Sequence, residues 1–164
     1  MSDYLEKKAQ EENKELEEKP VIIEASLMPL DTPLASGTIY PREVVKAAVE
    51  RLQGPLSVKR VLGEFDPQEI GANVSLGNAT HTLTKLEIRG DEVIAEVELM
   101  KTPKGLALAK LLREGNTAVR LAPRGMGVRD DENRISDYTL VCVDIVPVER
   151  DEDGYEDEEE KTEG

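Results

Sequence analysis

Few residues in this chain are suited to covalent or metal chemistry. It holds one histidine, His81, and one cysteine, Cys142, among 164 residues. The stretch 119–127, VRLAPRGMG, runs from a hydrophobic strand into a proline, an arginine and two glycines. Such a build is typical of a loop that displays backbone N–H groups to a developing oxyanion, yet it contains no nucleophile. The question is therefore whether a catalytic loop lies here without its reactive side chain.

The histidine and the cysteine both favour structural roles when their neighbours are considered. His81 lies in NATHTLT, where strand alternation places it on one face with Ala79 and Leu83. A partly buried strand histidine with one hydrogen bond is therefore favoured over a general base. Cys142 lies in the apolar run YTLVCVDIV and is expected to be a buried, inert thiol. One histidine and one buried cysteine make no ligand cluster, so we expect neither a metal nor another cofactor.

Two further motifs carry little specificity. Glu64 and Asp66 in GEFD could form an acid–base pair, but the chain has 35 acidic residues and these two are expected to be ordinary loop acids. The RGMG motif lacks the spacing and the following lysine of a phosphate-binding P-loop.

The elements that must position these residues alternate between strands and helices. VIIEASLMPL predicts a strand closed by a proline-containing turn. PREVVKAAVERLQG predicts a helix over 41–53, with Pro41 near its first turn and Gly54 as its stop. The apolar face of that helix would comprise Val44, Val45, Ala48, Val49 and Leu52.

The second half of the chain predicts a hairpin, another helix and a second pair of strands. The hairpin covers 79–100 and turns around Arg89, Gly90 and Asp91. Thr102 is the predicted N-cap of the next helix, with Pro103 at its first position and Gly115 after its end. The inward face of this helix is predicted to include Leu106, Ala109, Lys110 and Leu112. A polar hairpin, RDDENRIS, then leads to the final strand, DYTLVCVDIVPV.

Composition divides the chain into a core and two charged ends. Residues 149–164 carry a net charge of −8 and residues 1–19 carry −3, out of −14 for the whole chain. We expect 1–19 to be a flexible charged arm, 20–148 to be the folded domain and 149–164 to be a disordered acidic tail. The predicted fold class is α+β, with a mostly antiparallel sheet or small barrel and two helices.

The same charge and hydropathy exclude several classes of partner. A net-negative chain repels phosphate backbones, so direct nucleic-acid binding is not expected. No apolar stretch reaches the length of a membrane span, and the N-terminus lacks a signal-peptide apolar region. We therefore expect a soluble protein that is intracellular, or packaged inside something made in the cell.

The order and spacing of several segments identify a resemblance. Read in sequence, GTIYPREVV, VLGEFDP, NVSLGNATHTLTKLEIRGDEVIAEVELMKTPKGLALAKLLREG, VRLAPRGMG and DYTLVCVDIV resemble the prohead core proteases of tailed bacteriophages. These enzymes are relatives in fold of the herpesvirus assemblins. The resemblance covers about residues 21–148 and implies a prohead-protease-like fold.

The resemblance also assigns candidate site positions, and two of them lack their catalytic residue. In the family, the segment matching VLGEFDP carries a histidine base, which falls here at Pro67, or at Asp66 if the loop is shortened. The segment matching LAPRGMG carries a serine nucleophile, which falls at Ala122. An alanine methyl cannot attack a carbonyl, and a proline cannot accept a proton.

Other positions of the family's site are retained or remain open. Arg124 and Gly125 match the arginine and glycine that resemble oxyanion support. A third, acidic member matches Asp137 or Asp144, and both alternatives stand. His81 is an alternative base, although it aligns beyond the usual base position.

Three functions are compatible with this pattern. The favoured one is a phage head assembly protein that is catalytically silent and binds capsid and scaffold proteins. The second is a capsid maturation serine endopeptidase that appears here as an inactive Ser-to-Ala variant, and the third is a small acidic adaptor unrelated to proteases. Loss of two catalytic residues favours the first, because one substitution suffices to inactivate an enzyme.

The resemblance further implies partners and a location. Expected partners are the capsid and scaffold proteins of the virus head, with a homo-oligomer as an additional expectation, and no membrane. The expected location is the virion or prohead, assembled in the host cytoplasm.

Overall fold

The structure is a computed structural model that describes residues 3–7, 19–115 and 117–148. Its elements in chain order are β1 (Ile22–Pro29), α1 (Arg42–Ser57), β2 (Leu62–Glu64), a 3-10 turn (Leu76–Asn78), β3 (Ala79–Arg89), β4 (Glu92–Leu99), α2 (Pro103–Arg113), β5 (Val119–Arg129) and β6 (Ile135–Pro147). Residues 3–7 form a short helical segment. The predicted tail, 149–164, and most of the predicted N-terminal arm lie outside the described residues.

In the described part of the chain, six strands form two antiparallel sheets that share one core. Four strands pair in the order β1-β4-β3-β2, and β5 pairs with β6 as a hairpin. A bridge between Phe65 and Ile145 joins β2 to β6, and the Asp66 N–H donates to the carbonyl oxygen of Ile145 at 2.8 Å. On the other side β1 lies next to β5. The sheets thus curve around a common cluster of buried side chains, which confirms the predicted α+β, largely antiparallel fold.

Helix α1 has the predicted apolar face but a different end. The buried or half-buried residues on this face are Val44, Val45, Ala48, Val49 and Leu52. The predicted stop at Gly54 is wrong, because the helix continues through Gly54 and Pro55 to Ser57. Pro55 removes one helical hydrogen bond, and the Ser57 hydroxyl donates to the Gly54 carbonyl oxygen at 2.6 Å in the last turn. Pro41 lies just before the first turn, with extended backbone angles.

The hairpin of β3 and β4 is confirmed. The strands are joined by a two-residue turn, Gly90–Asp91, in which Gly90 has a φ of 65°. Positive φ is inexpensive for glycine, so the turn can match the twist of the two strands. This hairpin forms the centre of the four-stranded sheet.

Helix α2 begins as predicted. The Thr102 hydroxyl accepts a hydrogen bond from the Gly105 N–H at 3.1 Å, and Pro103 is the first helical residue. Gly115 follows the helix with a φ of 72°, as expected of a residue just past a helical end.

The inward face of α2 differs from the prediction at one residue in particular. Its buried residues are Gly105, Leu108 and Ala109, whereas Lys110 is exposed. A Cβ at position 105 would lie 2.1 Å from the Met100 carbonyl oxygen. The close backbone approach that only glycine allows therefore turns Gly105 toward the sheet and Lys110 away from it.

Candidate functional site

The segment VRLAPRGMG is not a loop, as its composition predicted, but forms most of β5. Ala122 pairs with Asp144, and Arg124 pairs with Cys142 on β6. Directly opposed residues of an antiparallel pair project to the same face, so these four residues share one face of the hairpin. The position matching the nucleophile therefore lies on a hydrogen-bonded strand.

The two glycines of this segment serve packing rather than a turn. A Cβ at Gly125 would lie 2.4 Å from the Tyr138 hydroxyl oxygen, and one at Gly127 would lie 3.2 Å from a ring carbon of the same tyrosine. Tyr138 is buried and meets Tyr40 edge-to-face, with ring centroids 5.5 Å apart. Gly125 is thus retained because the Tyr138 ring occupies the space of a side chain.

Arg124 is the centre of a buried ion cluster, which we define as Arg124, Glu64 and Asp144. Its Nε donates to Asp144 Oδ2 at 2.9 Å, and one terminal nitrogen donates to Asp144 Oδ1 at 2.9 Å and to Glu64 Oε2 at 3.0 Å. The other terminal nitrogen faces the carbonyl oxygens of Asn73 at 3.1 Å and Gly71 at 3.5 Å. All five N–H donors of the guanidinium therefore have acceptors within the fold.

The ion cluster changes the expected roles of its members. Burial by itself lowers the pKa of Arg124. Its hydrogen bonds to the two carboxylates raise the pKa by more than burial lowers it, so the pKa lies above its ordinary value. The saturated guanidinium has no donor left for an oxyanion. Glu64, predicted to be an ordinary loop acid, is instead 7% exposed and paired, which corrects that expectation.

The structure separates the two acidic candidates. Asp144 is 3% exposed, lies directly opposite Ala122 and accepts from Arg124 and from the Glu64 N–H at 3.0 Å. Asp137 is exposed and sits beside a bulge of the hairpin with a φ of 48°. Only Asp144 shares a neighbourhood with the position matching the nucleophile.

His81 is fully buried and both of its ring nitrogens are occupied. Nδ1 lies 2.7 Å from the Thr80 hydroxyl oxygen, and Nε2 lies 2.7 Å from the Val143 carbonyl oxygen. Burial lowers the pKa of His81, opposed by the Val143 hydrogen bond and by the charge of Asp144. The predicted strand histidine is therefore present, more deeply buried than expected and with two hydrogen bonds in place of one.

Gly63 makes room for this imidazole. It pairs with His81 across the β2–β3 ladder, and a Cβ there would lie 2.2 Å from Nε2 and 2.1 Å from the Val143 carbonyl oxygen. Because Gly63 has no side chain, the His81 ring can lie against its backbone and reach β6.

Cys142 is buried as predicted, at 1% exposed. Its Sγ lies 3.7 Å from Asp144 Oδ1, and burial raises the pKa of the thiol to about 12. A thiol held in its neutral form is a poor nucleophile.

A cleft of about 630 Å³ lies between the start of α2 and the segment that follows β2. Pro67 and Asp66, the two alternatives for the base position, both line it, but neither side chain is a general base of the histidine type. The remaining lining residues are Glu64, Phe65, Gln68, Glu69, Asn73, Ser75, Asn78, Thr80, Lys104, Ala107, Leu108 and Leu111. Arg124 holds one wall of the cleft in place, because it bonds the backbone of Asn73.

Thr80, Lys104 and Asn73 all line this cleft, and none of them was singled out from the sequence. The feature of the sequence that could have pointed to Thr80 is its position directly before His81, the one histidine of the chain. On a regular strand these two side chains would point to opposite faces, so the pattern could not predict their contact.

In the described ranges no three histidine, cysteine, aspartate or glutamate side chains cluster so as to hold a metal ion. Of the helices that the structure describes, none combines the length and the apolar character needed to cross a membrane.

Comparison with known proteins identifies the fold. No model of a known protein family matches the sequence, and no curated protein matches it. Among solved structures, the bacteriophage T4 capsid assembly protease, gp21, is similar with a TM-score of 0.67 at 23% identity. The match covers 76% of this chain and 80% of that one. The predicted prohead-protease-like fold is thereby confirmed: this chain folds like a phage capsid assembly protease.

Proposed function

We propose that this chain is a phage head assembly protein that is silent at the serine-protease position and acts by binding capsid and scaffold proteins. The fold shared with the T4 capsid assembly protease supports the virus-head setting. The observation that carries the silent state is Ala122, which the resemblance matches to the nucleophile position and which pairs with Asp144 across the hairpin.

The neighbours of Ala122 support the same proposal. Arg124, which the resemblance retains, and Asp144, one of the two acidic candidates, are bonded to each other and to Glu64, so their charges hold the fold together. His81 forms hydrogen bonds with Thr80 and Val143 and none with Asp144. No histidine–carboxylate pair is therefore ready to activate a hydroxyl at position 122.

The cleft supplies a surface for the proposed binding role. It lies beside half-buried Phe65, and the exposed side chains of Ile70 and Leu76 belong to the segment that forms one wall. Apolar groups next to a groove are typical of protein-binding sites. A head protein that contacts this cleft would bury them.

The test is an intact-mass time course with the capsid and scaffold proteins of the same virus. The unmodified chain and Ala122→Ser are each mixed with these proteins, and retention of the partners on the immobilised chain is measured in parallel. We expect retention by both chains and specific fragments from neither.

Two outcomes would contradict the proposal. Specific fragments from Ala122→Ser alone would identify a maturation endopeptidase whose nucleophile is missing. Absence of retention by the folded unmodified chain would exclude a binding role and favour an adaptor outside the virus head. A matched control, Ala118→Ser, places a new hydroxyl next to β5 but away from the candidate site.

A further inference from the structure

A β-bulge brings the Thr80 hydroxyl to the His81 ring. Gly63 pairs with His81, and Glu64 pairs with Ala79, so Thr80 is an extra residue in the β2–β3 ladder. A bulge re-aims the side chain of the extra residue. Here it places the hydroxyl oxygen 2.7 Å from Nδ1 of the next residue.

The surroundings of the ring determine which nitrogen carries the proton. A carbonyl oxygen only accepts hydrogen bonds, so Nε2, 2.7 Å from the Val143 carbonyl oxygen, carries the N–H. Nδ1 therefore presents its lone pair, and the Thr80 hydroxyl donates to it. A hydroxyl, a neutral imidazole and a group that orients the imidazole are the parts of an activated nucleophile.

The residue that carries this hydroxyl lies in the wall of the cleft. Thr80 lines it together with Asn78 and Lys104, whose side chains contact each other. The ammonium and amide groups are donors of the kind that stabilise a developing oxyanion. Thr80 is only 4% exposed, so an acyl donor must be small to reach it.

We propose that Thr80 and His81 form an acyl-accepting pair for small activated esters, separate from the Ala122 position but within the cleft that is also proposed to contact a head protein. Thr80 Oγ forms a bond to the acyl carbon, and its proton moves to His81 Nδ1. The bond from the acyl carbon to the ester's leaving oxygen breaks, and that oxygen takes the proton from Nδ1. Water then attacks the threonyl ester, with Nδ1 again accepting and returning a proton, and releases the acid.

The test is acetylation by p-nitrophenyl acetate, followed by peptide mapping of the modified residue. Thr82 is a matched control, because it is also buried on β3 but donates to the Val61 carbonyl oxygen at 3.3 Å instead of to an imidazole. We expect the acetyl group on Thr80 about 100-fold faster than on Thr82, since a positioned base contributes about that factor.

Variants separate this activity from general reactivity. Thr80→Val should lose the label, whereas Thr80→Ser and Thr82→Val should keep it, with circular dichroism showing that each variant is folded. Acetylation confined to lysines, or labelling of Thr80 at the same rate in the urea-unfolded unmodified chain, would overturn the proposal. The unfolded-chain comparison needs no substitution, so it decides the matter even if Thr80→Val fails to fold.

Discussion

Two buried polar groups both contact β6, and they differ in charge and in access. The ion cluster of Arg124, Glu64 and Asp144 is charged, and the guanidinium has every donor satisfied. The Thr80–His81 pair is neutral and borders the cleft. The first arrangement fixes backbone segments to one another, whereas the second joins a hydroxyl to a ring nitrogen by one hydrogen bond.

The contacts of Arg124 show how a residue of a protease-like motif can serve the fold itself. Arg124 belongs to the segment that matches the family's site, yet its contacts are those of a structural residue that ties together β2, β6 and the wall of the cleft. Removal of such a residue would leave its charged partners buried and unpaired. It is therefore retained for its contribution to stability, whichever residue occupies position 122. Retention of the motif therefore does not measure activity.

The largest expected effect comes from placing a charge where no partner exists. Val45 is 1% exposed on the inward face of α1, so Val45→Asp would bury an unpaired carboxylate in the apolar core. We expect loss of the cooperative thermal transition, measured by circular dichroism. A melt unchanged from that of the unmodified chain would refute the assignment of this helix face. Glu50, which is exposed on the same helix, supplies the control Glu50→Asp.

The next effect concerns removal of the cation from the ion cluster. Arg124→Leu would leave Glu64 and Asp144 buried without their counter-ion, and we expect about 3–5 kcal/mol of lost stability in urea unfolding. Arg124→Lys keeps the positive charge but loses the forked geometry of the guanidinium. Its stability should therefore lie between that of the unmodified chain and that of Arg124→Leu. If Arg124→Leu costs no more than an exposed arginine substitution such as Arg89→Leu, the cluster does not hold the fold together.

The smallest effect is a pH dependence that belongs to His81. Its pKa is lowered by burial, so below about pH 6.5 the unfolded chain binds a proton that the folded chain does not, and stability falls as pH decreases through that range. Because the chain has one histidine, His81→Leu should remove this part of the slope while lowering stability at every pH. Urea unfolding between roughly pH 7 and 5.5 measures both. An identical slope in both chains would mean that carboxylates alone produce it.

Predictions made from local sequence patterns were confirmed where all the residues that determine a feature lie close together in the sequence. The apolar face of α1, the Gly90–Asp91 turn and the Thr102 cap each depend on residues within a few positions of one another. The stop at Gly54 was wrong because a glycine permits a helical end without enforcing one. The position of Lys110 was wrong because the contact of Gly105 with Met100 sets the rotation of the helix.

The candidate site was less accessible to prediction. Arg124 and Glu64 are 60 residues apart, and Arg124 and Asp144 are 20 apart, so no spacing rule joins them. The preference for Asp144 over Asp137 depends on the register of the β5–β6 hairpin and its bulges. A bulge depends on how one strand pairs with another, and the sequence of one strand alone does not determine that pairing.

The sequence by itself determined which side chains exist to do chemistry. These are one histidine, one cysteine, alanine where the resemblance expects serine, and proline, or aspartate if the loop is shortened, where it expects histidine. These identities limit the chemistry of position 122, because an alanine methyl group has no lone pair and cannot act as a nucleophile in any fold. Only the tertiary structure decided which polar groups meet. Burial makes each such group depend on a partner, and the partners of Arg124 and His81 come from strands far apart in the chain.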